Sequence, residues 1–376
     1  MDAESIDLVP VSEVTPYNSN FSIQPWESVT TPSLLCPHSP LKVAITDDGG
    51  VVGSELMGWL RQRGIAAELV HHVAAKFDGV VFLGPLRSYN TQESAFRVNR
   101  EGLQIAKTLE ARLAQPGGFF VAVSAAGGLF AQTPNFSSPW LYSGVPALLR
   151  NLGVASATKS LDLELGSMGK AGLVDIIGKE LFEGGLASEV GITRDGTRYL
   201  RHWQSPEASV GVKLTAEDVV VLGYDHLNLA GDVARELAST GQGTVILLEP
   251  TAGTKRSAPT ELLEALQATG IKAKYVSVDH EDLRYLARAL DVVRGAYGRI
   301  TGFVYASQRD YTGATTSVDS IDRWLQQKTM PLLNALRCLN LEQLNFVRIV
   351  SAGTVESVPS AMLEEILAQI EAKKNP

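Results

Sequence analysis

Cysteine, long apolar runs and excess positive charge are all scarce in this sequence. Two cysteines, Cys36 and Cys338, occur in 376 residues, and their wide separation excludes a CxxC motif and a disulfide framework. No segment approaches the roughly 18 unbroken apolar residues that a membrane span requires. The first residues also lack the basic and apolar parts of a secretory signal. We therefore expect a cytoplasmic protein that does not insert into a membrane.

The charge and the histidines exclude two further classes of function. A net charge of -8 opposes nucleic-acid binding, because the phosphate backbone would be repelled by an acidic surface. The six histidines are scattered, and the sequence contains neither an HExxH motif nor a Cys/His cluster. We therefore predict no metal site.

Residues 1–40 differ in composition from the rest of the chain. They hold six of the 17 prolines, interleaved with serine and threonine. Proline lacks the backbone N–H and disrupts helix interiors, so this segment should be extended or irregular. We interpret it as a strap or linker. The remaining length suits two domains, since domains usually contain about 100–200 residues.

From Leu41 onward, short apolar runs alternate with segments of helical periodicity. This alternation is typical of parallel βαβ units, whose strands are buried on both faces. His71 and His72 fall in one predicted strand, so one should face the core and the other solvent. In the first half the predicted strands are 41–46, 65–73, 78–86 and 119–125, and the predicted helices are 52–63 and 91–114.

The second half repeats this alternation. Its predicted strands are 218–223, 243–250, 272–279, 302–307 and 345–351, and its predicted helices are 229–240, 261–270, 282–298, 319–339 and 359–373. The pattern predicts an α/β fold with two tandem Rossmann-like, doubly wound parallel sheets. The predicted divisions are a strap at 1–40, a first subdomain at 41–204, a connector at 205–217 and a second subdomain at 218–376.

Several segments occur in an order that resembles a known family. The segments are KSLDLELG (159–166), EVGITRDGTRYLRHW (189–203), DVVVLG (218–223), VILLEPT (245–251), AYGRITGFVYAS (296–307) and NFVRIVSAG (345–353). Their order resembles the ketoreductase region of polyketide and polyunsaturated-fatty-acid synthases. In that family a structural, cofactor-free Rossmann subdomain precedes a catalytic short-chain dehydrogenase/reductase subdomain. EVGITRDGTRYL resembles the strand-turn-strand that closes the structural subdomain.

The resemblance implies a glycine-rich turn for the cofactor pyrophosphate after the strand at 218–223. Such a turn lets the backbone and a helix N-terminus approach the phosphates. Here Gly223 alone matches, and Tyr224 and Leu227 stand where the family has glycines. Asp225 adds a carboxylate beside a position meant for phosphate. The implied pyrophosphate site is therefore degenerate.

The resemblance also implies an arginine for the 2′-phosphate of NADPH and an acid near the adenine. Glu249 and Pro250 occupy the arginine position, and neither can donate a charge-assisted hydrogen bond to phosphate. Asp279 matches the acid. The cofactor residues that remain are therefore Gly223 and Asp279, and we expect no bound cofactor unless the protein is an active, NADPH-dependent reductase.

The implied catalytic set is incomplete as well. Lys328 matches the lysine of the family and Ser351 matches the serine, but no tyrosine follows the serine, and the last tyrosine is Tyr311. Without this general acid the reduction would lose roughly 10²–10⁴-fold in rate. The family continues through a substrate lid and a further strand, so the resemblance implies a degenerate, C-terminally shortened form.

The first half offers another candidate site. It has a GGxxG turn at 49–53, Ser124 at a strand end and Tyr142 at nearly the reductase spacing. Pro146 stands where a lysine would lower the pKa of the tyrosine, and the acids at 47–48 would crowd a pyrophosphate. A tight strand-to-helix turn explains this motif more simply than a nucleotide site does.

Three hypotheses of function follow. The first is a ketoreductase-like, non-catalytic component of a polyketide or fatty-acid synthase system, with a structural, docking or scaffold role. The second is an active NADPH-dependent β-ketoacyl reductase that uses Lys328 and Ser351 with an unrecognised acid. The third is a nicotinamide-independent acyl-thioester enzyme on the same fold.

The hypotheses differ in what the protein binds. We favour the first, with other synthase proteins or an acyl carrier protein as partners, no nucleic-acid partner, and a homo- or hetero-oligomeric state. A partner chain could also complete the second sheet at an exposed edge.

Overall fold

A computed structural model describes most of the chain in two compact units. One unit contains the described residues between 21 and 203, and the other contains residues 14–17 together with those between 212 and 352. The described residues are 14–17, 21–25, 33–87, 92–130, 145, 157–165, 169–203, 212–224, 227–250, 259–279, 282–308, 330–339 and 344–352. The predicted helix 359–373 lies outside them.

The predicted strands match observed strands to within a few residues at each end. For example, the predicted strands 65–73 and 243–250 are observed as Ala66–Val70 and Thr244–Pro250. The strands are β1 (Val14–Tyr17), β2 (Phe21–Pro25), β3 (Lys42–Thr46), β4 (Ala66–Val70), β5 (Gly79–Phe82), β6 (Phe119–Ser124), β7 (Ala157–Leu163), β8 (Glu189–Ile192), β9 (Arg198–Trp203), β10 (Val219–Tyr224), β11 (Thr244–Pro250), β12 (Lys272–Val278), β13 (Gly302–Gln308) and β14 (Phe346–Ala352).

Six of the seven described helices lie in segments predicted to be helical, and the helix Lys170–Glu183 was not predicted. They are α1 (Val52–Gln62), α2 (Gln92–Leu113), α3 (Lys170–Glu183), α4 (Leu227–Leu237), α5 (Thr260–Ala268) and α6 (Leu283–Tyr297), followed by α7 at 330–338. The Asp282 carboxylate caps α6 by accepting hydrogen bonds from the backbone N–H groups of Arg284 and Tyr285, which satisfies two of the free donors at a helix N-terminus.

The two sheets have different strand orders. The eight-stranded sheet runs β2-β9-β8-β7-β6-β5-β3-β4, and the six-stranded sheet runs β1-β14-β13-β10-β11-β12. Strands β3 to β8 and strands β10 to β14 pair in parallel within their sheets. The predicted fold class, two doubly wound parallel sheets, is confirmed.

The strand order places one switch point in each sheet. It lies between β3 and β5 in the first sheet and between β10 and β13 in the second. Ligands of open α/β sheets bind beyond the carboxyl ends of the strands at this point. These two positions are therefore where a cofactor site has to be sought.

The cores form between the sheets and their helices. Every residue of β6 and of β10 is buried, as expected for parallel strands covered on both faces. Leu56 and Leu60 of α1 are fully buried in the first core, and Trp59 of the same helix meets Phe182 of α3 edge-on, with ring centroids 5.6 Å apart.

The segment 1–40 contributes a strand to each sheet. β1 pairs antiparallel with β14, and Thr15 lies opposite Ser351. β2 pairs antiparallel with β9, and Phe21 lies opposite Trp203. The edge of β14 is therefore occupied by β1 of the same chain, and the expectation that a partner chain could complete this sheet stays a prediction. β1 and β12 are the outer strands of this sheet.

The expectation for His71 and His72 is wrong. β4 ends at Val70, opposite the last residue of β3, Thr46. Both histidines lie in a bend after the strand and are exposed. The reason is that β4 is an outer strand whose one neighbour ends at the same level, so no ladder continues to hold the histidines in an alternating strand.

Candidate functional site

At the switch point of the first sheet, a carboxylate of the chain itself binds the N-terminus of α1. Asp48 lies between β3 and α1, and its Oδ1 and Oδ2 atoms accept hydrogen bonds from the backbone N–H groups of Gly53, at 3.0 Å, and Val52, at 3.2 Å. Free N–H groups at a helix N-terminus are the ones that bind phosphate in nucleotide sites. Here two of them are already bound to an anion.

The glycines of the GGxxG turn make room for this arrangement. Gly49 has a φ of +73°, a left-handed conformation that favours glycine. A Cβ added at Gly50 would lie 2.8 Å from Asp48 Oδ2, and one at Gly53 would lie 2.8 Å from Leu69 Cδ1. The glycines are therefore explained by the turn, the bound carboxylate and helix–strand packing, without a nucleotide.

An arginine covers the same turn. Arg87 donates from Nε and Nη2 to the backbone carbonyl of Asp47, at 3.0 and 2.8 Å. The same guanidinium makes a two-point contact with the Glu101 carboxylate, at 2.7 and 3.1 Å. This cation is thus engaged by groups of the protein.

Ser124, the candidate hydroxyl of the first half, lies beside a buried carboxylate. Its Oγ donates to Asp162 Oδ1 at 3.3 Å. The backbone N–H groups of Ala126 and Phe130 also donate to Asp162, at 2.5 and 2.7 Å. Burial raises the pKa of Asp162 to about 6, although the hydrogen bonds from these N–H groups and from Ser124 oppose the shift. These hydrogen bonds hold the loop after β6 against Asp162 of β7. Tyr142 lies outside the described residues.

The end of β10 marks the switch point of the second sheet. A Cβ added at Gly223 would lie 3.2 Å from Tyr305 Cδ2 of the neighbouring strand. Tyr224 is 2% exposed and belongs to the apolar core. α4 already begins at Leu227. Gly223 thus provides space for a neighbouring aromatic ring, and a buried tyrosine side chain follows it directly.

The end of β11 carries an acid. Glu249 is buried and accepts a hydrogen bond from the hydroxyl of Tyr275 on β12. A buried carboxylate here repels an anion, whereas the 2′-phosphate of NADPH requires a cationic donor. The residues at this position therefore do not fit that phosphate.

Three of the four predicted site residues lie at the same edge of the second sheet. Gly223 is near the end of β10, Asp279 directly follows β12 and is exposed, and Ser351 lies near the end of β14, opposite Ser307 of β13. The parallel pairing of these strands brings their carboxyl ends to one edge. Lys328 lies outside the described residues, so the structure does not place it beside Ser351.

A buried ion cluster underlies two of the segments that carry the family resemblance. Lys159 Nζ donates to Glu180 Oε1 at 2.6 Å and to the carbonyls of Gly184 and Gly185 at 3.2 and 3.0 Å. Arg198 binds both oxygens of Glu180, at 3.0 and 2.6 Å. Burial lowers the pKa of Lys159 even though the Glu180 carboxylate favours the charged form.

This cluster joins β7, the end of α3 and β9. The two cations also lie at the C-terminus of α3, where positive charge is favoured. Sequence reasoning missed the cluster. The available signal was the presence of Lys159 in the KSLDLELG segment that predicts a buried strand, since charged residues are rarely buried without partners.

The described residues contain no group of three or more histidine, cysteine or acidic side chains arranged to hold a metal ion. Among the helices that the structure describes, none has the length and hydropathy to cross a bilayer.

Comparisons with known proteins agree with the chain order and the fold. Residues 226–358 match the family model of the KR domain. No curated protein matches the sequence. A ketoreductase domain from the bacillaene assembly line has a TM-score of 0.65 at 12% identity, with 96% of this chain and 81% of that chain covered.

Two other solved structures extend the comparison. A C2-type ketoreductase from a modular polyketide synthase has a TM-score of 0.61 at 15% identity, covering 93% of this chain and 80% of that one. The N-domain of a bacterial malonyl-CoA reductase with NADP has a TM-score of 0.55 at 14% identity, covering 91% of this chain and 88% of that one.

The fold is therefore of the class in which two Rossmann-like units follow one another in a single chain. Within that class, the KR-domain match and the shared architecture confirm the predicted resemblance to the ketoreductase region of polyketide synthases. The solved structures share the fold with this chain, and the activity has to be argued from the residues of the site.

Proposed function

We propose that this chain is a non-catalytic, ketoreductase-like component of a polyketide or fatty-acid synthase system, with a structural or docking role. Its partners would be other synthase proteins or an acyl carrier protein, and it would act in the cytoplasm as part of a homo- or hetero-oligomer. The observation that carries this proposal is the buried carboxylate of Glu249 in the second sheet, which stands where the 2′-phosphate of NADPH needs a cationic donor.

The residues at the switch points of the two sheets oppose an NADPH site in different ways. In the first sheet the Asp48 carboxylate binds the helix N–H groups that a phosphate would need. In the second sheet the buried Tyr224 follows Gly223, and the buried Glu249 stands where a cation is needed. The Glu249 carboxylate repels the 2′-phosphate of NADPH, and the Asp48 carboxylate occupies N–H donors that a phosphate would need.

The proposal also has support from the sequence. No tyrosine follows Ser351 in this sequence, so the general acid that the family resemblance implies is missing. A reductase without this acid would leave the developing alkoxide unprotonated. The loss of the acid and the loss of the phosphate sites are independent in chemistry.

An NADPH titration tests the proposal. Cofactor fluorescence and thermal unfolding would be followed up to millimolar NADPH, with NADH in parallel. We expect no saturable signal and no increase in melting temperature. A ligand at 100 times its Kd stabilises a protein by about 2.7 kcal/mol, so a site with a Kd below about 10 μM would be plainly visible. Such a result would refute the proposal.

The KR-domain match over residues 226–358 favours one alternative, an active NADPH-dependent β-ketoacyl-thioester reductase. The NADP-bound malonyl-CoA reductase N-domain shows that a protein of similar fold binds this cofactor. In this alternative Gly223 and Asp279 would contact NADPH, and Lys328 and Ser351 would be catalytic. NADPH oxidation by a β-ketoacyl thioester, lost in Ser351→Ala and in Lys328→Met, would establish it.

A further inference from the structure

Helix α6 has more exposed large apolar side chains than any other helix that the structure describes. Seven large apolar side chains are exposed among the described residues, and three of them, Leu283, Tyr285 and Val292, belong to this helix. Val292 is 71% exposed and Tyr285 is 54% exposed. Single exposed apolar residues are ordinary, but a group of them on one element indicates an interaction surface.

The spacing places these side chains on the side of the helix that faces solvent. Tyr285 and Val292 are seven residues apart, which is two helical turns, so they lie on one face. An adjoining side of α6 is already covered, because Leu286, Leu290 and Val293 are buried. The helix is therefore apolar on two sides, and only one of them is covered by its own sheet.

Two arginines flank this apolar pair. Arg284 and Arg288 are exposed and lie one turn apart, next to Tyr285. We call Arg284, Tyr285, Arg288 and Val292 the α6 surface. Within the described part of the chain, neither arginine side chain forms an ion pair.

The two acids of this region that the structure describes, Asp282 and Asp291, have other partners. Asp291 forms an ion pair with Arg294 at 2.7 Å, and Asp282 accepts hydrogen bonds from the backbone N–H groups at the start of α6. A chain with a net charge of -8 therefore presents, beside the exposed apolar side chains of this helix, two arginines without an ion-pair partner among the described residues.

We propose that the α6 surface docks a protein whose own surface is acidic around an apolar centre, an acyl carrier protein of the synthase system. This inference rests on the proposed docking function and names its surface. Tyrosine and arginine are enriched in protein–protein interfaces, and complementary charge steers the encounter. Nucleic acid fits less well, because the acidic remainder of the chain repels a continuous polyanion.

The test is a binding titration of the full chain with a purified, net-negative acyl carrier protein, by calorimetry at low and at high salt. We expect saturable binding that weakens as salt rises. Arg284→Glu/Arg288→Glu and, separately, Tyr285→Ala/Val292→Ala should each weaken binding about tenfold or more. Alanine has the highest helix propensity and both sites are exposed, so the second variant should remain folded.

Two control variants match these changes. Lys272→Glu/Lys274→Glu makes the same change in net charge at exposed residues of β12, and Leu186→Ala removes another exposed apolar side chain. Both should bind the carrier protein within about twofold of the unaltered chain, because neither touches the α6 surface.

Three results would overturn the inference. They are the absence of carrier-protein binding at millimolar concentration, equal weakening in the control variants, and equal or tighter binding of a short DNA duplex or of anionic phospholipid vesicles to the same surface. These outcomes are independent of the NADPH titration. NADPH binding would refute the proposed function, whereas a failure of carrier-protein binding alone would refute only this inference.

Discussion

Oδ1 of Asp48 lies 3.0 Å from the backbone nitrogen of Gly53 and accepts its hydrogen bond. The carboxylate therefore sits at the start of α1, where the partial positive charge of a helix favours an anion. In nucleotide-binding folds a phosphate takes this place. In this protein the anion is part of the chain, and a motif with nucleotide-site spacing becomes a structural turn.

Asp48→Ala should destabilise the protein by about 0.5–2 kcal/mol, the usual range for the loss of an N-terminal helix cap. Asp48→Asn should lower the stability less, because its one remaining side-chain oxygen can still accept a hydrogen bond from one of the two N–H groups. Urea denaturation measures both values. Asp47→Ala serves as the control, since that carboxylate accepts from the backbone N–H of Gly49 outside the helix. Equal losses in all three variants would contradict the capping role.

Asp162 should give the stability a dependence on pH between about 4 and 6. Its pKa rises from 3.8 to about 6 in the folded protein, so the folded state binds the proton more tightly than the unfolded state. The stabilisation is complete below the unfolded pKa and is lost as pH rises through the folded pKa. A shift of this size corresponds to something on the order of 3 kcal/mol.

Denaturation of the unaltered protein and of Asp162→Asn from pH 4 to 7 measures this effect. The stability of the unaltered protein relative to the variant should fall up to about pH 6 and then level off. Asp195→Asn is a suitable control, because hydrogen bonds from Thr193 and Thr197 lower the pKa of Asp195 to about 2. Its contribution is lost only as pH falls below the unfolded value. Parallel curves for Asp162→Asn would show that the pKa is not raised.

Glu180→Ala should be strongly destabilising, by about 3–5 kcal/mol, because it leaves Lys159 and Arg198 without their shared carboxylate in a buried position. Lys159→Met should cost clearly less. Its side chain is apolar and of similar length, and Arg198 still binds both oxygens of Glu180. Guanidinium denaturation of both variants tests this order. A smaller loss in Glu180→Ala than in Lys159→Met would contradict it.

Asp218 should stabilise the unit that contains the six-stranded sheet at neutral pH. Burial alone would raise its pKa, but hydrogen bonds from Thr215 and Thr301 outweigh burial and lower it. Its stabilisation is therefore present above the unfolded pKa of 3.8 and is lost as pH falls through the folded pKa. Asp218→Asn should cost about 1.5–3 kcal/mol at pH 7, the range for hydrogen bonds to charged groups.

A double-mutant cycle tests this contact. The Thr301 hydroxyl donates to Asp218 at 2.8 Å, so Asp218→Asn and Thr301→Val should be non-additive by more than about 0.5 kcal/mol. The cost of Asp218→Asn should also shrink below about pH 4. Additive costs that do not change with pH would show that the pair does not interact.

The carboxylates of this protein show how far the sequence could be interpreted. The acids at 47–48 and Glu249 were predicted to disfavour phosphates, a conclusion that requires only their charge and their place after a strand. The capping of α1 by Asp48 is a local contact within five residues, but the sequence could not predict that Glu180 binds Lys159 and Arg198. Such pairs depend on which strands and helices become neighbours. The prediction that one of His71 and His72 faces the core was wrong for a related reason. Side chains alternate between the two faces only where a neighbouring strand continues the ladder.

The amino-acid sequence by itself determined the alternation of buried strands and helices, and with it the fold class. The reason is local: a parallel strand covered on both faces needs an unbroken apolar run, such as Phe119–Ser124, and an amphipathic helix needs apolar residues every third or fourth position. The strand orders, the two edge strands in residues 1–40 and the contact between Glu249 and Tyr275 were decided by the tertiary structure. Their hydrogen-bond partners lie far away along the chain, and only the folded arrangement brings them within reach.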